Sequence, residues 1–136
     1  MDLILPWVVG AGLAVGVSVF ARAVGLDRDR AFYPTLLIVI AMLYDLFAVL
    51  GGSTRALLVE LALSSVFIAT AALGFRRNLW IVAVGLVGHG VMDFFHGHLV
   101  ENPGVPTWWP AFCGSYDVVA GVLLAWLLKR SAIEPE

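Results

Sequence analysis

Five apolar runs, each about the length needed to cross a bilayer, constrain this chain more than any other feature. They cover residues 3–21, 33–50, 56–75, 79–100 and 111–128. A helix needs roughly 20 apolar residues to span a hydrocarbon core of about 30 Å. The runs are continuous rather than alternating, so they read as helices and not as strands of a membrane barrel. Short turn-like or charged segments separate them: RAVGLDRDRAF from Arg22, GGSTR from Gly51, RRN from Arg76 and ENPGVPTWWP from Glu101. Pro103, Pro106 and Pro110 deny the last segment a continuous helix. The expected fold is all-α, a polytopic membrane bundle of five transmembrane helices forming a single transmembrane domain over residues 1–136.

Composition agrees. The chain is 61% hydrophobic and 13% charged, against about 25% charged in an average soluble domain. An ordinary soluble globule, a disordered chain and a nucleic-acid partner are all excluded on that ground. A lone cysteine, Cys113, leaves no internal disulfide, no CxxC redox pair and no thiolate zinc cluster.

Charge placement gives an orientation. With five spans, Arg22, Arg28, Arg30, Arg76, Arg77, Lys129 and Arg130 fall on one side, and Arg55 alone falls on the other. The positive-inside rule then puts the N-terminus outside and the C-terminus in the cytoplasm of a cell in whose plasma membrane the protein sits. The first run lacks a basic segment before it, so it reads as a retained helix rather than a signal peptide. Trp7, Trp108 and Trp109 fall at the outer interface, Trp80 and Trp126 at the inner one. Gly12 and Gly16 form a small-xxx-small pair suited to close helix packing.

Ionisable groups inside the spans are costly in lipid and mark function by default. Here they are Asp45, Glu60, His89, Asp93, His96, His98 and Asp117. At 100° per residue, with His89 at zero, Asp93 lies at about 40° and His96 at about −20°, on one narrow face. His98 falls at about 180°, on the opposite face. Counted inward from the outer ends at the helical rise, Glu60 and His96 lie about 6 Å deep, Asp45 about 8 Å, Asp117 about 9 Å, Asp93 about 10 Å and His89 about 16 Å. Four helices thus deliver acids and imidazoles to one outer layer, and the inner half contributes no carboxylate.

Imidazoles with carboxylates are a ligand set for divalent zinc or iron. His89, Asp93 and His96 form a helix-borne ligand stripe that Asp45 and Glu60 can complete, with Asp117 also within the layer. As acid–base or metal-assisted catalytic groups, the candidates are His89, Asp93, His96 and Asp117. The competing structural reading is a satisfied polar network that pins the helices together. Ser64 and Ser65 suit packing within span three, and Ser115 is a minor nucleophile candidate. Retinal chemistry lacks an intramembrane lysine, since Lys129 lies at the cytoplasmic end, and a bis-histidine haem between two helices lacks histidines on both. The segment from Glu101 to Cys113 suits an aromatic interfacial anchor or a stiff lid over the polar layer.

Residues His89, Asp93, His96 and His98, followed by Asn102-Pro103, Trp109-Pro110, Phe112-Cys113 and Asp117, resemble a pattern in small, uncharacterised bacterial multi-span integral membrane proteins with a His-x3-Asp-x2-His motif. This chain has His96-Gly97-His98 where that pattern has adjacent histidines. The resemblance covers under a quarter of the chain and implies a small multi-span membrane protein without implying an activity. Three functions stay open: an enzyme acting by hydrolysis or proton transfer on a lipid or lipophilic substrate, a small ion or metal transporter, and an accessory or lipid-binding subunit. The partners expected are the bilayer, a lipophilic substrate, and a second copy or a larger membrane complex.

Overall fold

The computed structural model describes residues 3–136 as α1 (Leu5–Val24), α2 (Phe32–Leu50), α3 (Thr54–Arg76), α4 (Leu79–Leu99) and α5 (Trp109–Lys129). A short 3-10 turn, Leu26–Arg28, joins α1 to α2. All five helices are long and apolar enough to cross a membrane. Their ends follow local chemistry. Pro6 and Pro110 sit in the first turns of α1 and α5, where a missing N–H costs nothing. Pro110 therefore opens α5, although the sequence placed that helix's start just after it. Ser53 Oγ accepts from Ala56 N–H to cap α3, and Asn78 Oδ1 accepts from Trp80 N–H to cap α4. Gly25, at φ 87°, ends α1 in the left-handed region and donates its N–H to the Ala21 carbonyl.

α4 is the hub, packing on α5, α3 and α2, while α1 packs on α5 and α2 on α3. About half of α4 and of α5 is enclosed, but less than a quarter of α1 and α3. Leu37, Ile40, Leu86 and Leu124 fill the centre. The α4–α5 seam is made close by glycines. A Cβ on Gly90 would stand 2.8 Å from the Gly114 carbonyl oxygen, and one on Gly121 would stand 2.9 Å from the Ala83 oxygen. A Cβ on Gly114 would strike the Phe94 ring.

The glycine pair singled out in α1 behaves differently. Gly12 and Gly16 are exposed, and a Cβ on either would meet nothing within 4 Å. The close approach of α1 to α5 is made instead at Gly10, against Phe112 and Ser115. Periodicity recognised a smooth helix side, and the packing partner lies on another side.

At one end of the bundle, the 51–53 turn meets the 100–108 loop, where Gly51 and Gly104 are in contact. At the other end the C-terminal tail folds back. Leu79 N–H donates to the Pro135 carbonyl at 2.7 Å, giving a partner to an amide that a helix start leaves free. Arg30 Nε donates to the Phe75 carbonyl at 2.8 Å, and Ile133 is buried. This second end also holds a buried carboxylate, outside the spans. Asp27, assigned to a connecting loop, is 1% exposed and sits 3.0 Å from Arg22 Nε.

Candidate metal centre

The α4 face expected from the 100° spacing is present. His89, Asp93 and His96 are each at most 2% exposed, whereas His98 faces outward. A helix repeat places them in line, and the glycine seam lets α5 come close enough to answer them. From α5, Asp117 and Cys113 enter at i and i−4, so their side chains share one face.

His89, Asp93, Cys113 and Asp117 together present ligand atoms that all lie within 4.8 Å of one another, with all four residues buried. His89 Nδ1 stands 2.6 Å from Asp117 Oδ2 and 3.5 Å from Asp93 Oδ2. Cys113 Sγ lies 3.7 Å from Asp117 Oδ2. Tyr44, from α2, donates its hydroxyl to Asp93 Oδ1 at 2.6 Å. Asp93 Oδ2 is buried without a hydrogen-bond partner.

Beside this group lies a second one. His96 Nε2 meets Glu60 Oε1 at 2.5 Å, and both side chains are buried. Asn102, in the loop before α5, donates to the same Glu60 oxygen at 3.0 Å and to the Tyr44 carbonyl at 3.1 Å. The Tyr44 ring stacks on His96, centroids 3.8 Å apart and planes 12° apart. Tyr44 thus touches both groups, with its hydroxyl on one and its ring on the other.

Asp45 faces α3 instead, where Ser64 donates to it at 2.9 Å, and it is half-buried. The outer layer therefore does not assemble as one shell of His89, Asp93, His96, Asp45 and Glu60. Among the described residues, the metal-capable group is His89 and Asp93 with Asp117 and Cys113. The physical reason is position along α4. His89 and His96 share one face but lie seven residues, about 10 Å, apart along it, where α5 brings Asp117 to His89 and α3 brings Glu60 to His96, so each imidazole finds a different carboxylate. Cys113 is the member that a count of cysteines passed over, since one thiol makes no thiolate cluster yet can join a mixed shell. Its signal was the Cys113–Asp117 spacing, which repeats the i,i+4 spacing of His89–Asp93.

The serines are spent locally: Ser65 donates to the Leu61 carbonyl at 2.6 Å and Ser115 to that of Phe112 at 3.0 Å. The loop from Glu101 lies over the second group, held by Asn102 and by the seat of Gly104 against Phe47 and Gly51. Trp109 packs on Phe47 and Phe112 at centroid distances of 4.9 and 5.4 Å, closing the aromatic cover. Comparison with known protein families, with curated proteins and with solved structures returns no match.

Proposed function

We propose that this chain is a multi-pass membrane protein that holds a divalent transition-metal ion at His89, Asp93, Cys113 and Asp117. The observation that carries the reading is the enclosure of one imidazole, one thiol and two carboxylates within 4.8 Å of one another. An imidazole nitrogen, a sulfur and carboxylate oxygens together suit zinc or iron, with bond lengths of about 2.0–2.3 Å for zinc. Electrostatics favours a cation as well. Two carboxylates sharing a buried site with a single imidazole carry charge that an apolar interior penalises, unless protons or an ion offset it. Asp93 Oδ2, which makes no hydrogen bond, is where such an ion gains a ligand, beside the His89 Nδ1 that contacts Asp117.

The orientation follows from the charges. The end bearing Arg22, Arg28, Arg30, Arg76, Arg77, Lys129 and Arg130 is read as cytoplasmic, and on that reading the metal group reaches from mid-membrane toward the outer side of a plasma membrane. A lipophilic substrate reaching it from the bilayer, with hydrolytic or proton-transfer chemistry, is the activity this setting suits best. A bound ion would supply Lewis acidity or an activated water. Glu60 and His96 stand ready one helical turn or so away to move a proton. A second reading, proton handling without an ion, is favoured by the short Tyr44–Asp93 and His89–Asp117 contacts.

Metal content separates the two. Protein purified in detergent without chelators and titrated with zinc or ferrous ion is expected to retain about one equivalent after desalting. His89→Ala and Asp117→Asn are expected to lose it, and His96→Ala to keep it. Wild type that retains no ion under these conditions removes the metal and leaves the proton-handling reading.

A further inference from the structure

A slot of about 290 Å³ runs between α1 and α5 toward the arginine-bearing end of the bundle. Val15 and Val19 of α1 and Leu123 and Leu127 of α5 form its walls, and Arg22 and Trp126 stand at its mouth. The walls are apolar, and Val15 and Val19 are exposed on the membrane-facing surface. The mouth holds Arg22, paired with Asp27, and Arg130 lies beside it on the lining Trp126. Arg22 is partly exposed, with Nε on Asp27 and Nη1 donating to the Ala132 carbonyl, and neither partner uses Nη2. Arg130 stands over the Trp126 ring at 5.1 Å and is otherwise exposed.

From these observations we propose that the slot binds an anionic glycerophospholipid. One acyl chain lies along Val15, Val19, Leu123 and Leu127, and the phosphate sits between Arg22 and Arg130. The site needs both halves. Apolar walls alone would take any acyl chain, and guanidinium groups alone would be ordinary interfacial charges. Guanidinium binds phosphate oxygens through paired N–H donors, and Trp126 holds Arg130 at the mouth by a cation–π contact. A zwitterionic headgroup carries its own ammonium beside the phosphate, which weakens the net attraction to Arg130 and to the remaining N–H donors of Arg22, whose charge Asp27 partly offsets.

The competing occupant is a second copy of the chain, because exposed Gly12 and Gly16 leave a smooth strip of α1 beside the slot. A parallel symmetric pair would bring Arg22 and Arg130 of both copies toward one another at the membrane edge. Like charges there oppose the pair and leave the slot to an anion.

The test is thermal unfolding in a mild non-ionic detergent with phosphatidylglycerol or phosphatidylcholine of identical acyl chains titrated in. A saturable rise in the midpoint with phosphatidylglycerol, reached at about one-tenth the concentration needed with phosphatidylcholine, is the expected result. Arg130→Gln, an exposed site, should raise the half-saturating phosphatidylglycerol concentration about tenfold. Val19→Trp, which fills the slot from an exposed position, should abolish the saturable response while the protein still unfolds cooperatively. Equal responses to the two lipids, or a Val19→Trp response matching wild type, would overturn the proposal. So would a particle mass of two chains that phosphatidylglycerol leaves unchanged. None of these outcomes depends on the metal group, none of whose residues lines the slot.

Discussion

Tyr44 joins two buried polar groups that the chain keeps far apart in sequence. Its hydroxyl reaches Asp93, 49 residues away, and its ring lies on His96. Tyr44→Phe keeps the ring and removes the donor, leaving Asp93 Oδ1 without a partner in an apolar interior. That loss should cost about 1–3 kcal/mol, read as a lowered unfolding midpoint in detergent. Tyr44→Ala should cost more, because the stacking surface on His96 goes as well; equal midpoints for Phe and wild type would contradict the assignment. At this scale the helix repeat made His89, Asp93 and His96 legible as one face, because neighbours on a helix surface are fixed by rise and rotation. Cys113 and the pairing of His96 with Glu60 were not legible in that way. Which carboxylate answers which imidazole depends on the helix packed opposite, and hydropathy carries no information on that.

The helices show the same division. Their existence and approximate ends follow from apolar length and from Pro6, Pro110, Ser53 and Asn78 at the starts, which is local chemistry. The choice of packing glycine is not local. Gly90, Gly114 and Gly121 sit where α4 and α5 nearly touch, whereas Gly12 and Gly16 face open space. Gly114→Ala must displace Phe94 and should destabilise by about 1–3 kcal/mol through overpacking. It should also loosen the His89–Asp117 contact across the same seam, seen as weaker metal retention. Gly16→Ala should leave both the midpoint and metal retention unchanged. A tolerated Gly114→Ala together with a damaging Gly16→Ala would reverse the packing account.

For the molecule as a whole, charge is sorted by end and polarity by depth. Seven of the eight basic residues gather at one end, where Arg22 and Arg30 strap the turn after α1 and the C-terminal tail to the bundle. The buried imidazoles and their carboxylates gather toward the other end, beneath the loop that Asn102 ties down. The five spans and this sorting were readable because bilayer thickness and the cost of burying charge act on composition directly. The order of helices around α4 was not, since each apolar surface is about as content beside lipid as beside another helix. That order decides which side chains meet His89 and Asp93, and so the proposed ligand set. X-ray absorption at the metal edge of the loaded protein reads that set atom by atom. One sulfur neighbour at about 2.3 Å is expected together with nitrogen and oxygen neighbours at about 2.0–2.2 Å for zinc, with the sulfur lost in Cys113→Ser. A bound ion surrounded by nitrogen and oxygen alone in the wild-type protein would contradict it.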